Sequence, residues 1–299
     1  MKFSHKKTNN LNIFRRNKGF SLIEISVVLL IIGVLIAGIS QGIDLYSEFK
    51  IKTAQKLTIN SPVSRIEGLA LWLETTLEKS FQTKMVNNSE VPQWNNISPF
   101  DLDVKNAFSY STNPQPIYLE DHINGLPAIQ FKNSSQNCMQ VENGFDKNTE
   151  NVTIFLALAM KSASVNGRII EKWNGGGSYP YVLRPSFNFA TYYGSGAQRG
   201  PSLASGKIGF PYVVSARRVK LGNLSIWVNG VKGGDVTDNA ATDTTNTSPL
   251  YIGCRGPGSA NYTFGDFNVG EIIIYSRALS DGEILRVNQY LSQKWNIKF

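Results

Sequence analysis

Apolar residues are distributed along this chain in two different ways. From Phe20 to Ile39 they run almost unbroken, FSLIEISVVLLIIGVLIAGI, and Glu24 is the one charge among them. From about Leu69 onward they come in short continuous or alternating runs, separated by Gly, Asn, Ser and Thr. The first distribution predicts a long helix, since twenty helical residues rise about 30 Å, the thickness of a bilayer core. The second predicts strands at 125–131, 152–160, 167–173, 181–185, 187–193, 211–218, 224–230, 249–255 and 267–276.

The ends of these elements are also written in the sequence. Asp44, Glu48, Lys50, Lys52 and Lys56 bring charge back into the helix, while Ile43, Leu45, Phe49, Ala54 and Leu57 keep a broken apolar stripe. Asn60-Ser61-Pro62 should stop it, because proline lacks an N–H and clashes with the preceding turn. Asn229-Gly230, after an aromatic and β-branched run, predicts a hairpin turn. No helix-period stretch interrupts the strands, which argues for an antiparallel sandwich. Ser280 followed by Glu283 predicts a capping box that opens a short C-terminal helix. Ile284, Val287, Leu291 and Trp295 then share its inward face.

Charge changes the picture only at the start. The chain carries a net +8, yet Lys2, Lys6, Lys7, Arg15, Arg16 and Lys18 precede Gly19 with no acid among them. Removing those six charges leaves +2. The basic balance is therefore a topology signal that keeps the leader in the cytoplasm. It is not a stripe for nucleic acid, and no nucleic acid partner is expected. Glu24 inside the apolar run costs roughly 2.5–3.5 kcal/mol on insertion scales, so it should have a partner.

The string Lys18-Gly19-Phe20-Ser21-Leu22-Ile23-Glu24 resembles the class III signal of type IV prepilins and pseudopilins. The resemblance implies that a prepilin peptidase cuts between Gly19 and Phe20 and methylates the new Phe20 amine. It implies that Glu24 pairs with the amino terminus of another pilin subunit in a filament core. The precursor would sit in the bacterial inner membrane. In the pilus or pseudopilus the head would be periplasmic or extracellular. No proline occurs between Phe20 and Ile59, a departure from many major pilins that leans toward a pseudopilin or minor pilin.

Two further stretches carry a second resemblance. Leu71-Trp72-Leu73 is followed by Trp94 and by Gly125-Leu126-Pro127-Ala128-Ile129-Gln130-Phe131. Gly270–Tyr275 is followed by the capped helix ending Tyr290-Leu291-Ser292-Gln293-Lys294-Trp295. Together they resemble the LamG-like, concanavalin A-type jelly-roll family. The expected organisation is a cleaved leader 1–19, a transmembrane and assembly helix 20–60, a linker 61–68 and a jelly-roll head 69–299.

Catalysis is not expected. Glycoside hydrolysis needs two carboxyl groups about 5 Å or about 6.5–9.5 Å apart. Glu120-Asp121 are adjacent and point apart, and Asp266 and Glu271 differ in strand parity. His122, read as a loop residue, is the single histidine beyond the leader, which leaves little for histidine or zinc chemistry. Binding is the better candidate: Trp173, Tyr179, Tyr181, Tyr192 and Tyr193, with Arg199 nearby, suit sugar stacking or core and rim packing. No cofactor is expected except calcium, which the LamG resemblance allows at Asp235, Asp238 and Asp243 in a polar loop 233–248. Cys138 and Cys254 are the only cysteines. A bridge between them would stabilise by about 4–5 kcal/mol in the chain-entropy picture, the alternative being two buried thiols.

The reading is a minor pilin or tip adhesin whose head is displayed for a surface or glycan ligand. The alternatives are a type II secretion pseudopilin without a ligand and a membrane-tethered glycan-active enzyme.

Overall fold

The structure is a computed structural model that describes residues 19–100, 105–110, 113–142, 150–162, 167–173, 179–192, 200–202, 207–238, 248–256 and 263–299. It divides into two compact units, one ending at Glu48 and one spanning Phe49–Phe299. Helix α1 (Leu22–Ile59) begins in the first and ends in the second. Its stretch of exposed apolar side chains runs from Leu22 to Phe49, and it is long and apolar enough to cross a membrane.

The second unit holds fifteen strands among the described residues. In chain order they are β1 (Leu69–Glu74), β2 (Gln93–Trp94), β3 (Ala107–Ser109), β4 (Ile117–Ile123) and β5 (Leu126–Phe131). There follow β6 (Met139–Val141), β7 (Val152–Met160), β8 (Ile170–Lys172), β9 (Tyr179–Leu183) and β10 (Phe189–Tyr192). The last are β11 (Pro211–Arg218), β12 (Asn223–Val228), β13 (Val231–Thr237), β14 (Leu250–Ile252) and β15 (Phe267–Tyr275), and helix α2 (Asp281–Trp295) follows. One sheet, A, runs β13-β12-β11-β7-β15-β5-β4, with β1 also paired to β15. The other, B, runs β10-β9-β8-β14-β6-β3-β2. All pairings are antiparallel.

Strand β7 shows why its sequence is apolar at every position. Ile154, Leu156 and Leu158 join the core between the sheets, while Phe155, Ala157 and Ala159 join a second core. That second core lies between sheet A and a layer made by α2 and the last turns of α1, with Ala54, Ile284, Val287, Leu291 and Trp295 in it. The head is thus helices, sheet A and sheet B in three layers. Each fully buried Leu, Ile or Phe here stabilises by about 1.5–3 kcal/mol.

Three expectations are revised. Residues 61–68 are not a bare linker: Val63 and Ile66 are buried in the second core, and Tyr275 Oη donates to the Val63 carbonyl at 2.9 Å. The polar segment after Asn229-Gly230 does not start as a loop, because 231–237 forms β13. The turn, with Asn229 and Gly230 both at positive φ, returns the chain directly onto β12. His122 lies on β4 rather than in a loop.

Candidate functional site

At the head of α1, Ser21 N–H donates to Glu24 Oε2 at 2.7 Å. Glu24 sits in the first helical turn, where the helix dipole favours an acid. Phe20, Leu22, Ile23 and the apolar residues after them are exposed in the single chain. A helix apolar all round requires a membrane or a partner around it.

Under α2 lies a group of charges that the sequence did not announce. Glu74 and Glu271 are register partners on β1 and β15, two like charges directly opposite, an unfavourable arrangement without a counter-ion. Lys294 supplies it from α2, with Nζ 2.9 Å from Glu74 Oε2 and 2.9 Å from Glu271 Oε2. All three are 0–4% exposed. Glu271 also accepts from Trp72 Nε1 (2.7 Å), Tyr290 Oη (2.8 Å) and Trp295 Nε1 (2.9 Å). Glu74 accepts from Thr76 N (2.8 Å), Thr76 Oγ1 (2.6 Å), Leu77 N (2.7 Å) and the Ser80 hydroxyl. Burial pushes the Glu74 carboxyl up, but Lys294 and the hydroxyl donors outweigh it and hold it below the ordinary value. Burial pulls Lys294 down, and the two carboxylates more than reverse that. A bulge at Gly270, between Val269 and Glu271, resets the alternation of β15. It turns Glu271 under α2 and leaves Ile272 facing the inter-sheet core, which is why simple strand parity failed there.

The outer face of sheet B has two parts. Its register row runs Ala190–Val182–Glu171–Tyr251–Gln140–Phe108–Gln93. At one end the face is closed. Arg168 Nε pairs with Glu171 Oε2 at 3.0 Å, Arg255 Nε lies 3.8 Å from Glu171 Oε1, and the Arg255 guanidinium stacks 5.0 Å from the Trp173 ring centre. Burial raises the Glu171 pKa, against the pull of Arg168, Arg255 and Arg184. At the other end the face is open: Phe108 is 40% exposed, between half-buried Gln93 and Gln140. Between the two, a disulfide joins Cys138 to Cys254 (Cα–Cα 5.3 Å) and packs with Tyr251, Phe264 and Tyr110.

The residues singled out in the sequence do not form one site. Trp173 is 6% exposed, with Arg255 over its ring, so it offers no open stacking surface. Tyr181 is buried between the sheets. Tyr179 and Tyr192 are register partners on β9 and β10. Tyr193, Arg199 and Asp243 lie outside the described residues. Asp235 is held by Ser225 (2.5 Å) and Lys232 (2.7 Å). Asp238 is buried against Arg218 at 2.9 Å, and Arg218 also donates to the Pro180 carbonyl at 3.1 Å, tying sheet A to sheet B. Among the described residues no group of three or more His, Cys, Asp or Glu is placed to hold a metal. Lys294 was missed although its position was readable: it lies four residues after Tyr290, on the face that Val287, Leu291 and Trp295 share. Phe108 was missed because a three-residue strand is too short to show a period.

Comparison with known proteins gives two matches to family models. One, described as the prokaryotic N-terminal methylation motif, covers residues 14–40. The other, described as the concanavalin A-like lectin/glucanases superfamily, covers residues 133–285. No curated protein matches the chain. Among solved structures, a Trypanosoma rangeli sialidase in complex with sialic acid is 13% identical with TM-score 0.48, over 76% of this chain and 33% of the sialidase. The binding domain of botulinum neurotoxin D/C with rat synaptotagmin II is 11% identical with TM-score 0.52, over 75% and 52%. A botulinum neurotoxin type C structure, described as dependent for cell entry on two ganglioside molecules, is 12% identical with TM-score 0.52, over 75% and 51%. The chain therefore spans a third to a half of these proteins, and at such identities the likeness to the two neurotoxin structures is one of fold.

Proposed function

Because this chain belongs to the concanavalin A-like lectin/glucanases superfamily and also carries an N-terminal methylation motif, we propose that it is a pilin-like filament subunit with a ligand-binding head. Prepilin peptidase removes residues 1–19 and methylates Phe20. The helix holds the precursor in the inner membrane and then packs with other pilin subunits. Glu24 pairs there with a neighbour's amino terminus, setting register more than adding net stability. The head is a minor-pilin or tip module displayed for a surface or glycan ligand, and it works without catalysis.

One observation carries this reading: an apolar helix exposed on all sides from Leu22 to Ile39, whose one charge lies five residues past Gly19. The non-catalytic reading draws support from Glu74 and Glu271, the carboxylates that face each other, which are sealed under α2 and share Lys294. A secretion pseudopilin without a ligand is the second reading, favoured by a helix of 38 residues that no proline interrupts. The test of the assembly step is Glu24→Ala. It is expected to insert and to be processed, yet to be absent from sheared filaments. Incorporation at the wild-type level would refute the pairing.

A further inference from the structure

We infer that the end of the head where α1 joins it is a membrane-docking rim, which seats the unassembled subunit on an anionic bilayer surface. This rests on the reading of the precursor as membrane-anchored and names the part of the head that touches lipid.

Strands β7 and β12 finish at this end of sheet A, and β11, β13 and β15 start there. Gly209 N–H donates to the Met160 carbonyl at 2.7 Å, and Asn229 N–H donates to the Val213 carbonyl at 2.8 Å. Ile208 and Phe210 thus lie at the strand ends that the Asn229-Gly230 hairpin adjoins. A side chain at Gly230 would run into the Phe299 ring, so Phe299 lies on the same hairpin. The end of α2 ties α1 to this group. Asn124 Nδ2 donates to the carbonyls of Trp295 (2.9 Å) and Asn296 (3.0 Å), and Lys50 Nζ donates to the Asn124 carbonyl at 3.5 Å. Phe49, Ile208, Phe210, Val231 and Phe299 are each between 53% and 66% exposed. Several large apolar side chains left open at one end of a domain mark a contact surface.

Charge selects the partner. Lys50, Lys161, Lys207, Lys232 and Lys298 stand among these residues and outnumber the neighbouring Asp121, Asp235 and Asp266. Asp235 pairs with Lys232 at 2.7 Å. Lysines beside exposed phenylalanines suit an interfacial surface: the rings enter the boundary of headgroups and acyl chains, and the ammonium groups meet anionic headgroups. A two-fold contact with a second copy would instead set the same lysines against each other. The tether also fits. The apolar run of α1 ends at Ile39, ten residues before Phe49. That is about 15 Å of helix, part of which the headgroup layer fills.

The full chain is to be reconstituted at high lipid-to-protein ratio in phosphatidylcholine vesicles with and without about one third phosphatidylglycerol, a share at which surface charge attracts lysines. Both native cysteines are bridged, so Val231→Cys takes a fluorescent label at the rim, and Leu221→Cys takes it on the exposed turn at the opposite end of β12. Spin-labelled lipid is expected to quench the Val231→Cys label at least threefold more than the Leu221→Cys label in the anionic vesicles. The difference should shrink in pure phosphatidylcholine, in high salt, and when Phe210→Ser and Phe299→Ser are added. Equal quenching at both positions, or none at either, overturns the rim while a chain that still floats with the vesicles remains membrane-anchored. A chain that does not float overturns the anchor and the rim together. Shielding of Val231→Cys that disappears on dilution into more lipid means a second copy covers this end, and likewise overturns the rim.

Discussion

The outer face of sheet A and the Phe108 end of the outer face of sheet B are built in opposite ways. The outer face of sheet A is sealed by α2 and the last turns of α1, and it encloses charge: Glu74, Glu271 and Lys294. The outer face of sheet B leaves Phe108 open between two glutamines and carries no charge at those positions. Charges that are buried and saturated with donors fix which strand meets which helix. The Phe108 ring, by contrast, is exposed between two amides and fixes no such pairing.

The largest effect is expected on the sealed side. Lys294→Met leaves two opposed carboxylates buried without a counter-ion, and denaturant unfolding should report a loss of about 3–5 kcal/mol. A smaller loss would mean that water reaches the pair and that the layer is not sealed. Next comes Gly270→Ala. The new methyl would run into the Trp295 ring, so α2 must shift, at a cost of about 1–3 kcal/mol by the same measurement.

The pH dependence has a defined sign. Glu74 is held below its ordinary 4.5, and Glu283, hydrogen-bonded by Arg277, is held down at about 2. Their contributions are present above 4.5 and are lost as pH falls through the folded values. Lys294 is raised above 10.5, so its contribution is intact below 10.5 and is lost as pH climbs past it. The melting temperature should therefore fall on both sides, and the alkaline fall should shrink in Lys294→Met but persist, because burial also raises Tyr118, Tyr275 and Tyr290. The smallest effect belongs to the open side: Phe108→Ala should change stability by no more than about 0.5 kcal/mol, because the ring is not part of a core. A larger change would mean that Phe108 is scaffold after all.

The long helix, the Asn229-Gly230 hairpin and the capping box at Ser280 were legible because each is a local signal. Ser280 Oγ accepts from Glu283 N–H while the Glu283 carboxylate accepts from Ser280 N–H, as the spacing required. The apolar runs of β7 and β15 revealed strands but not why both faces are apolar, since the covering helices come from opposite ends of the chain. Glu74 and Lys294 meet across 220 positions, and no local pattern encodes such a meeting. The aromatic set around Trp173 misled for a related reason. Strand alternation gives parity but does not reveal that Arg255 lies on the ring. Phe108 depends on a short strand whose direction is fixed by its partners Trp94, Met139 and Val141 rather than by its own sequence.

Mass spectrometry of the mature amino terminus addresses the filament reading most directly. The expected species begins with N-methylated Phe20. A chain that retains its leader in the assembled material, or one cut anywhere other than after Gly19, would contradict it.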